Sequence, residues 1–241
     1  MTLSIVSSRQ NIKVIQNSYG KEMIKFENVT KIYKNNKFEN TVFRDLNFTL
    51  SRGQSIGICG ANGAGKSTLT RLISGVEKPT LGKITRKMST SWPIGYTSAF
   101  QSSLTGADNC RFIARVYGKK EDELLAYVED FAQLGPFFRQ PIKTYSAGMV
   151  ARLAFGVSLA VQFDCYLVDE VTGAGDERFR NRCHEALIER RTNGTLVMIS
   201  HDFNTLREYC DSGAVMYQKQ LHLFDSIEEA IEFHQEKQRQ S

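Results

Sequence analysis

Eight residues constrain this chain more than any others: Gly60-Ala61-Asn62-Gly63-Ala64-Gly65-Lys66-Ser67. They have the P-loop spacing, a Gly, four residues, then Gly-Lys followed by Ser or Thr, and they sit in the setting that motif needs. The apolar run 55–59 predicts a strand leading in. Leu69, Leu72 and Ile73 recur at helical spacing and predict a helix leading out. Glycines let the backbone turn sharply and bring its N–H groups up to phosphate oxygens. The N-terminus of the following helix aims further N–H groups and a partial positive charge at the same anion. Residues Gly60, Ala61, Asn62, Gly63, Ala64, Gly65, Lys66, Ser67 and Thr68 are therefore the candidate nucleotide contacts. Lys66 reaches for the β- and γ-phosphates, and the Ser67 hydroxyl is suited to Mg²⁺.

A chain of 241 residues has ample length for a buried core, in one domain or two closely joined lobes. No apolar run approaches the roughly 20 residues that span a bilayer; the longest, 153–163, predicts a buried helix. The N-terminus lacks a continuous apolar stretch, and no secretory signal is expected. Five cysteines are scattered without metal spacing, which predicts reduced thiols in a cytosolic protein. The net charge of +5 comes from dispersed Lys and Arg with no basic stripe interleaved with aromatics, so no nucleic-acid partner is expected.

Residues 1–22 are polar and weakly periodic, which fits a short strand or a mobile extension. From Met23 the texture alternates as a half-buried strand; 35–37 is a turn signal, and 41–50 alternates again. Two readings are open for Tyr33 in this stretch: stacking on an adenine or packing a sheet edge. After the P-loop helix come a turn and short strand over 78–84. The block 103–163 reads as mostly helical, with helices over 109–117, 121–134 and 146–161, the last with Ser146 as N-cap. Cys165-Tyr166-Leu167-Val168 is a buried strand ending in Asp169-Glu170. A helix over 177–191 follows, then a buried strand over 195–200 that delivers His201. Helix, strand, strand and a terminal helix complete the chain, with Ser226 and Glu229 predicting a capping box.

Three predicted strand ends carry chemistry: Lys66 and Ser67, Asp169 and Glu170, and His201. In a parallel sheet they emerge on one edge, where open α/β folds bind ligands. Phosphoryl transfer depends on positioning and charge stabilisation. Asp169 is suited to hold Mg²⁺, Glu170 to act as general base on water, His201 to bridge the γ-phosphate and that base, and Gln101 to sense metal and water. Each has a structural alternative, since paired acids, a terminal His or a lone Gln also occur at ordinary strand ends.

The order of the P-loop, Gln101, Thr144-Tyr145-Ser146-Ala147-Gly148-Met149, Val168-Asp169-Glu170, Gly175-Asp176 and Ser200-His201-Asp202 resembles an ABC transporter ATPase subunit across about 23–225. The resemblance implies an α/β P-loop NTPase core with an antiparallel β subdomain and an inserted helical subdomain over about 103–163. It implies ATP and Mg²⁺ as cofactors, Glu170, His201 and Gln101 as catalytic residues, and Ser67, Gln101 and Asp169 at the metal. It makes Tyr33 the adenine-stacking aromatic. It also implies a head-to-tail homodimer in which Ser146, Gly148 and Asp176 of one copy face the ATP held by the other. An integral membrane permease would dock near residues 101–109.

A narrower resemblance rests on Ser91-Trp92-Pro93-Ile94-Gly95, 100–106 and 145–155. These are similar to ATPases that export capsular polysaccharide from Gram-negative bacteria. That implies a peripheral protein on the cytoplasmic face of the inner membrane, working with other export-complex proteins. Export of O-antigen or teichoic acid and a soluble non-transport ABC ATPase are the alternatives. A chain that stops at residue 241, short of a C-terminal sugar-binding domain, favours the capsule group over O-antigen. Ala147 and Met149 depart from the usual signature loop, Val171 stands where a proline is usual, and Gly173-Ala174-Gly175 is rich in glycine.

Overall fold

The computed structural model describes residues 23–35, 38–169 and 176–240. Glu170, the departures at 171–175, part of the 35–37 turn and the 1–22 extension lie outside them.

Two sheets organise the chain. β1 (Met23–Asn35), β2 (Phe38–Ser51) and β4 (Leu81–Arg86) form a three-stranded antiparallel sheet in the order β2-β1-β4. β3 (Ser55–Gly60), β5 (Thr90–Pro93), β6 (Cys165–Asp169), β7 (Thr195–Ile199), β8 (Ser212–Tyr217) and β9 (Gln220–Phe224) form the second sheet, ordered β5-β6-β7-β3-β8-β9. Its strands are parallel except β9, which returns antiparallel to β8. β6 and β7 are apolar and buried along almost their whole length, as a strand covered on both faces must be.

Side chains of successive strand residues point to opposite faces. Tyr166 and Val168 accordingly join a core with α5 (Glu177–Asn193), α6 (Phe203–Tyr209) and α7 (Ile227–Arg239), while Cys165 and Leu167 join one with α1 (Lys66–Ser74) and the antiparallel sheet. α2 (Gly106–Val116), α3 (Glu121–Ala132) and α4 (Ala147–Ala160), with two 3₁₀ turns between α3 and α4, pack around a third core. Trp92 at the end of β5 donates its indole N–H to Ser158 Oγ of α4 at 2.9 Å, tying this helical block to the sheet.

The elements follow the sequence reading with shifts at their ends. α2 begins at Gly106, three residues before the predicted start, because the Thr105 hydroxyl accepts from Asp108 N at 3.0 Å and caps it. α3 stops at Ala132, short of Leu134, because Gln133 takes a left-handed φ of 50°. The expected capping box on α7 is corrected. Ser226 Oγ accepts from Glu228 N at 3.1 Å, one residue before Glu229. Each of the five cysteines is buried and free, and burial pushes the thiols of Cys110, Cys165, Cys183 and Cys210 up to about 12.

One glycine of the antiparallel sheet has no substitute. Gly82 has φ 83°, and a Cβ there would overlap the backbone carbonyl of Asn28 on β1. Gly82→Ala should lower stability by more than about 1 kcal/mol, since it combines strain with a backbone clash. Urea titration measures this directly, and an unchanged midpoint would contradict the geometry.

Candidate functional site

β6, β7 and β3 are neighbours, and their register sets the carboxyl ends level. Asp169 and Ile58 both lie beside Ile199. Each strand then delivers its polar group on the same edge: Asp169 at the end of β6, His201 two residues beyond β7, and the P-loop directly after β3. Of the residues predicted to converge there, only Glu170 lies outside the described residues.

The loop turns into α1 at Gly65, whose φ of 106° is left-handed. A Cβ on Gly65 would run into Val42 Cγ1 of β2 and lie 3.1 Å from Met216 Cε of β8. The turn is thus wedged between the two sheets, and only glycine fits. No side chain caps the start of α1, which leaves that end to an anion. Lys66 is buried, and its Nζ donates to Gly60 O at 2.7 Å and Ala61 O at 3.1 Å. Those bonds fold the ammonium back over its own loop. Ser67 is exposed between buried Lys66 and Thr68, so its hydroxyl faces outward. Cys59, just beneath the loop, has its thiol pushed up to about 11 by burial, with the Lys66 charge opposing; it is a packing residue and no nucleophile.

Among the described residues, no cluster of three or more His, Cys, Asp or Glu side chains forms a metal cage. Mg²⁺ seldom uses one: it takes one or two protein oxygens and completes its shell with phosphates and water. The Ser67 hydroxyl and Asp169 carboxylate are hard oxygen donors that fit this use. Gln101 lies after β5 with its side chain exposed, while its backbone is clamped. Asn109 of α2, itself buried, accepts from Gln101 N at 2.9 Å and donates to Gln101 O at 3.2 Å. The clamp makes any shift of α2 a shift of Gln101. Sequence reading missed Asn109; the available signal was a polar residue on the buried face of an amphipathic helix.

Ser146 and Gly148 belong to α4, Asp176 to the start of α5, and Tyr33 to β1. Ser146 caps α4 as expected, accepting from Met149 N at 3.3 Å. Gly148 lies in the first turn of α4, where a Cβ would meet, among the described residues, only Ser146 Oγ at 3.9 Å. Asp176 is satisfied within its own chain: Oδ1 caps α5 by accepting from Phe179 N at 2.9 Å, and Oδ2 pairs with Arg152 of α4 at 2.9 Å. Those partners hold its carboxyl below the usual range, the Phe179 amide first. The second turn of α4 and the start of α5 are thereby strapped together. Tyr33 of β1 stands beside α1, its hydroxyl 3.5 Å from Thr68 Oγ1. Also unforeseen is His234 of α7, buried against the ring of Phe203, whose pKa is lowered by burial and then by the charges of Lys66 and His201.

Residues 43–173 match the family model described as ABC transporter. The chain is 47% identical over 212 residues to the capsule polysaccharide export ATP-binding protein CtrD of Neisseria meningitidis serogroup B, covering 88% of this chain and 98% of that one. It is 46% identical to the ATP-binding protein BexA of Haemophilus influenzae, covering 90% and 100%. The teichoic acids export ATP-binding protein TagH of Bacillus cereus is 34% identical, over 86% of this chain and 41% of TagH. Among solved structures, the dimeric post-hydrolysis state of the ATP-binding cassette MJ0796 bound to ADP and Pi superimposes with a TM-score of 0.73 at 20% identity, covering 85% of this chain and 98% of that one. No helix among the described residues is long and apolar enough to cross a membrane.

Proposed function

The chain belongs to the ABC transporter family, and on that premise we propose that it is the ATP-binding and ATP-hydrolysing subunit of an exporter of capsular polysaccharide. The observation that carries this reading is the similarity to CtrD, 47% identical over 88% of this chain. The 34% identity to TagH supports the second reading, teichoic acid export, over a smaller share of that relative.

In this reading the triphosphate lies in the P-loop against Lys66 and the N-terminus of α1, and Tyr33 stacks on adenine. Ser67 and Asp169 would hold Mg²⁺, with Gln101 as a further oxygen donor, and the bound ion would supply charge neutralisation for the phosphates. Glu170 takes the proton of the attacking water, and His201 orients the γ-phosphate. The site is completed by a second copy, whose Ser146, Gly148 and α4 N-terminus close over the ATP, with Asp176 beside them. The permease docks along residues 101–109, where Leu104 is exposed, as are Phe112 and Val116 further along α2. Such a subunit works from the cytoplasmic face of the inner membrane.

Gly148 supplies an internal test of the shared site. Neither its φ nor its surroundings among the described residues require glycine. Gly148→Ala should leave stability unchanged or raise it by up to about 1 kcal/mol, while ATP turnover falls about tenfold, a loss of about 1.4 kcal/mol. Thermal melting and phosphate release measure the two arms; full turnover would remove Gly148 from the site. For the transport assignment, deletion of the gene should abolish surface polysaccharide, and a Lys66→Ala copy should fail to restore it. Co-purification of a multi-spanning subunit from membranes is expected with either copy. Capsule unaffected by the deletion would refute the assignment.

A further inference from the structure

A side-chain network joins Tyr33 to the P-loop helix. The Tyr33 hydroxyl donates to Glu77 Oε2 at 2.8 Å and accepts from Arg71 Nη2 at 3.1 Å. Arg71 Nε also donates to Glu77 Oε2 at 3.0 Å, and Arg71 Nη2 to Thr68 Oγ1 at 3.1 Å. Lys31 completes the set: its Nζ is 2.7 Å from Glu77 Oε1 and lies over the Tyr33 ring, 4.9 Å from the centroid. Glu77 belongs to the connection between α1 and β4, Arg71 and Thr68 to α1, Lys31 and Tyr33 to β1.

Two properties distinguish this network from a surface ion pair. Lys31 is buried, and its Nζ is held on two sides, by Glu77 and by Lys78 O at 2.9 Å. The tyrosine hydroxyl is held by Glu77 and Arg71, with Thr68 Oγ1 at 3.5 Å, which fixes the ring's position and its rotation while 38% of the residue stays exposed. A base-stacking ring that is already immobile loses little freedom when the base arrives. Burial raises the Glu77 carboxyl, but the bonds from Lys31, Tyr33 and Arg71 outweigh it and hold it down to about 2. The anchor is therefore charged throughout the neutral range.

We propose that Glu77, acting with Arg71, is a positioning residue for the nucleotide base, holding the Tyr33 ring at a set offset from the P-loop. This rests on the reading that Tyr33 stacks on adenine. The network spans both ends of the nucleotide site, since Thr68 follows Ser67 directly. It makes the base platform and the phosphate loop one rigid gauge for the length of a nucleoside triphosphate.

The experiment compares binding of ATP and of inorganic tripolyphosphate, each with Mg²⁺, by titration calorimetry. Tyr33→Ala should weaken ATP about 5- to 150-fold through lost stacking and leave tripolyphosphate unchanged. Glu77→Ala should weaken ATP about 2- to 10-fold and leave tripolyphosphate unchanged, which also reports that the P-loop is folded. Glu77→Gln, which keeps an acceptor for the hydroxyl, should fall between Glu77→Ala and the native chain. In a Tyr33→Ala background, Glu77→Ala should add nothing. Native ATP affinity in Glu77→Ala, with Tyr33→Ala impaired, overturns the role of Glu77 and leaves the stacking reading standing. Equal loss of ATP and tripolyphosphate in Glu77→Ala also overturns it, placing the effect in α1. Native affinity in Tyr33→Ala overturns the stacking reading itself.

Discussion

Glu170→Gln should cut ATP turnover about 10²–10⁴-fold while ATP binding persists, the range expected when a general base is removed. Glutamine has the shape of glutamate and no capacity to take a proton from water at neutral pH. In the proposed site the phosphate contacts fall to other residues: Lys66, the P-loop amides and the start of α1 would contribute to affinity without Glu170. Binding and turnover should therefore separate in this variant. Asp169, its neighbour at the end of β6, is assigned to the metal, so Asp169→Asn should instead lose Mg²⁺-dependent binding and turnover together. Phosphate release and fluorescent-nucleotide titration distinguish the two. Undiminished turnover in Glu170→Gln would transfer the base to another group.

Lys66→Ala should lower turnover about 10²–10³-fold, the usual cost of deleting one preorganised charge from a transferring phosphoryl group, and it should weaken ATP binding as well. Lys66 is the first residue of α1 and its ammonium is held by Gly60 O and Ala61 O. Those carbonyls hold the ammonium in the mouth of the loop, where in the proposed site phosphate oxygens would replace them as partners. Alanine is the best helix former, so α1 survives the change, and far-UV circular dichroism should match the native chain. Retained fold with lost binding locates the effect in the charge. Native turnover would contradict the phosphate role of Lys66.

Local signals carried much of this architecture. The P-loop, the two buried strands ending in Asp169 and delivering His201, and the Ser146 cap were legible because each depends on a short segment: a glycine-demanding turn, an unbroken apolar run, a hydroxyl before a helix. Convergence of Asp169, His201 and the P-loop on one edge followed from the parallel sheet alone. What escaped was long-range or reciprocal. The clamp of Asn109 on Gln101 and the strap from Arg152 to Asp176 join residues whose identities say nothing of each other until the helices are packed. Glu77 meets Tyr33 across 44 residues of chain. The cap on α7 differs in detail because Ser226 accepts from Glu228 N, one residue before the Glu229 of the expected capping box. α2 starts earlier than the apolar periodicity from Asn109 predicts, because Thr105 and Asp108 set the helix end.

The most direct measurement is the mass of Glu170→Gln in solution with and without Mg-ATP, by sedimentation velocity. A site shared between two copies predicts about a doubling of mass on addition of ATP, two nucleotides bound per dimer, and reversal when ATP is removed. A chain that binds ATP to saturation and remains monomeric would contradict the shared site, and with it the assignment of Ser146 and Gly148.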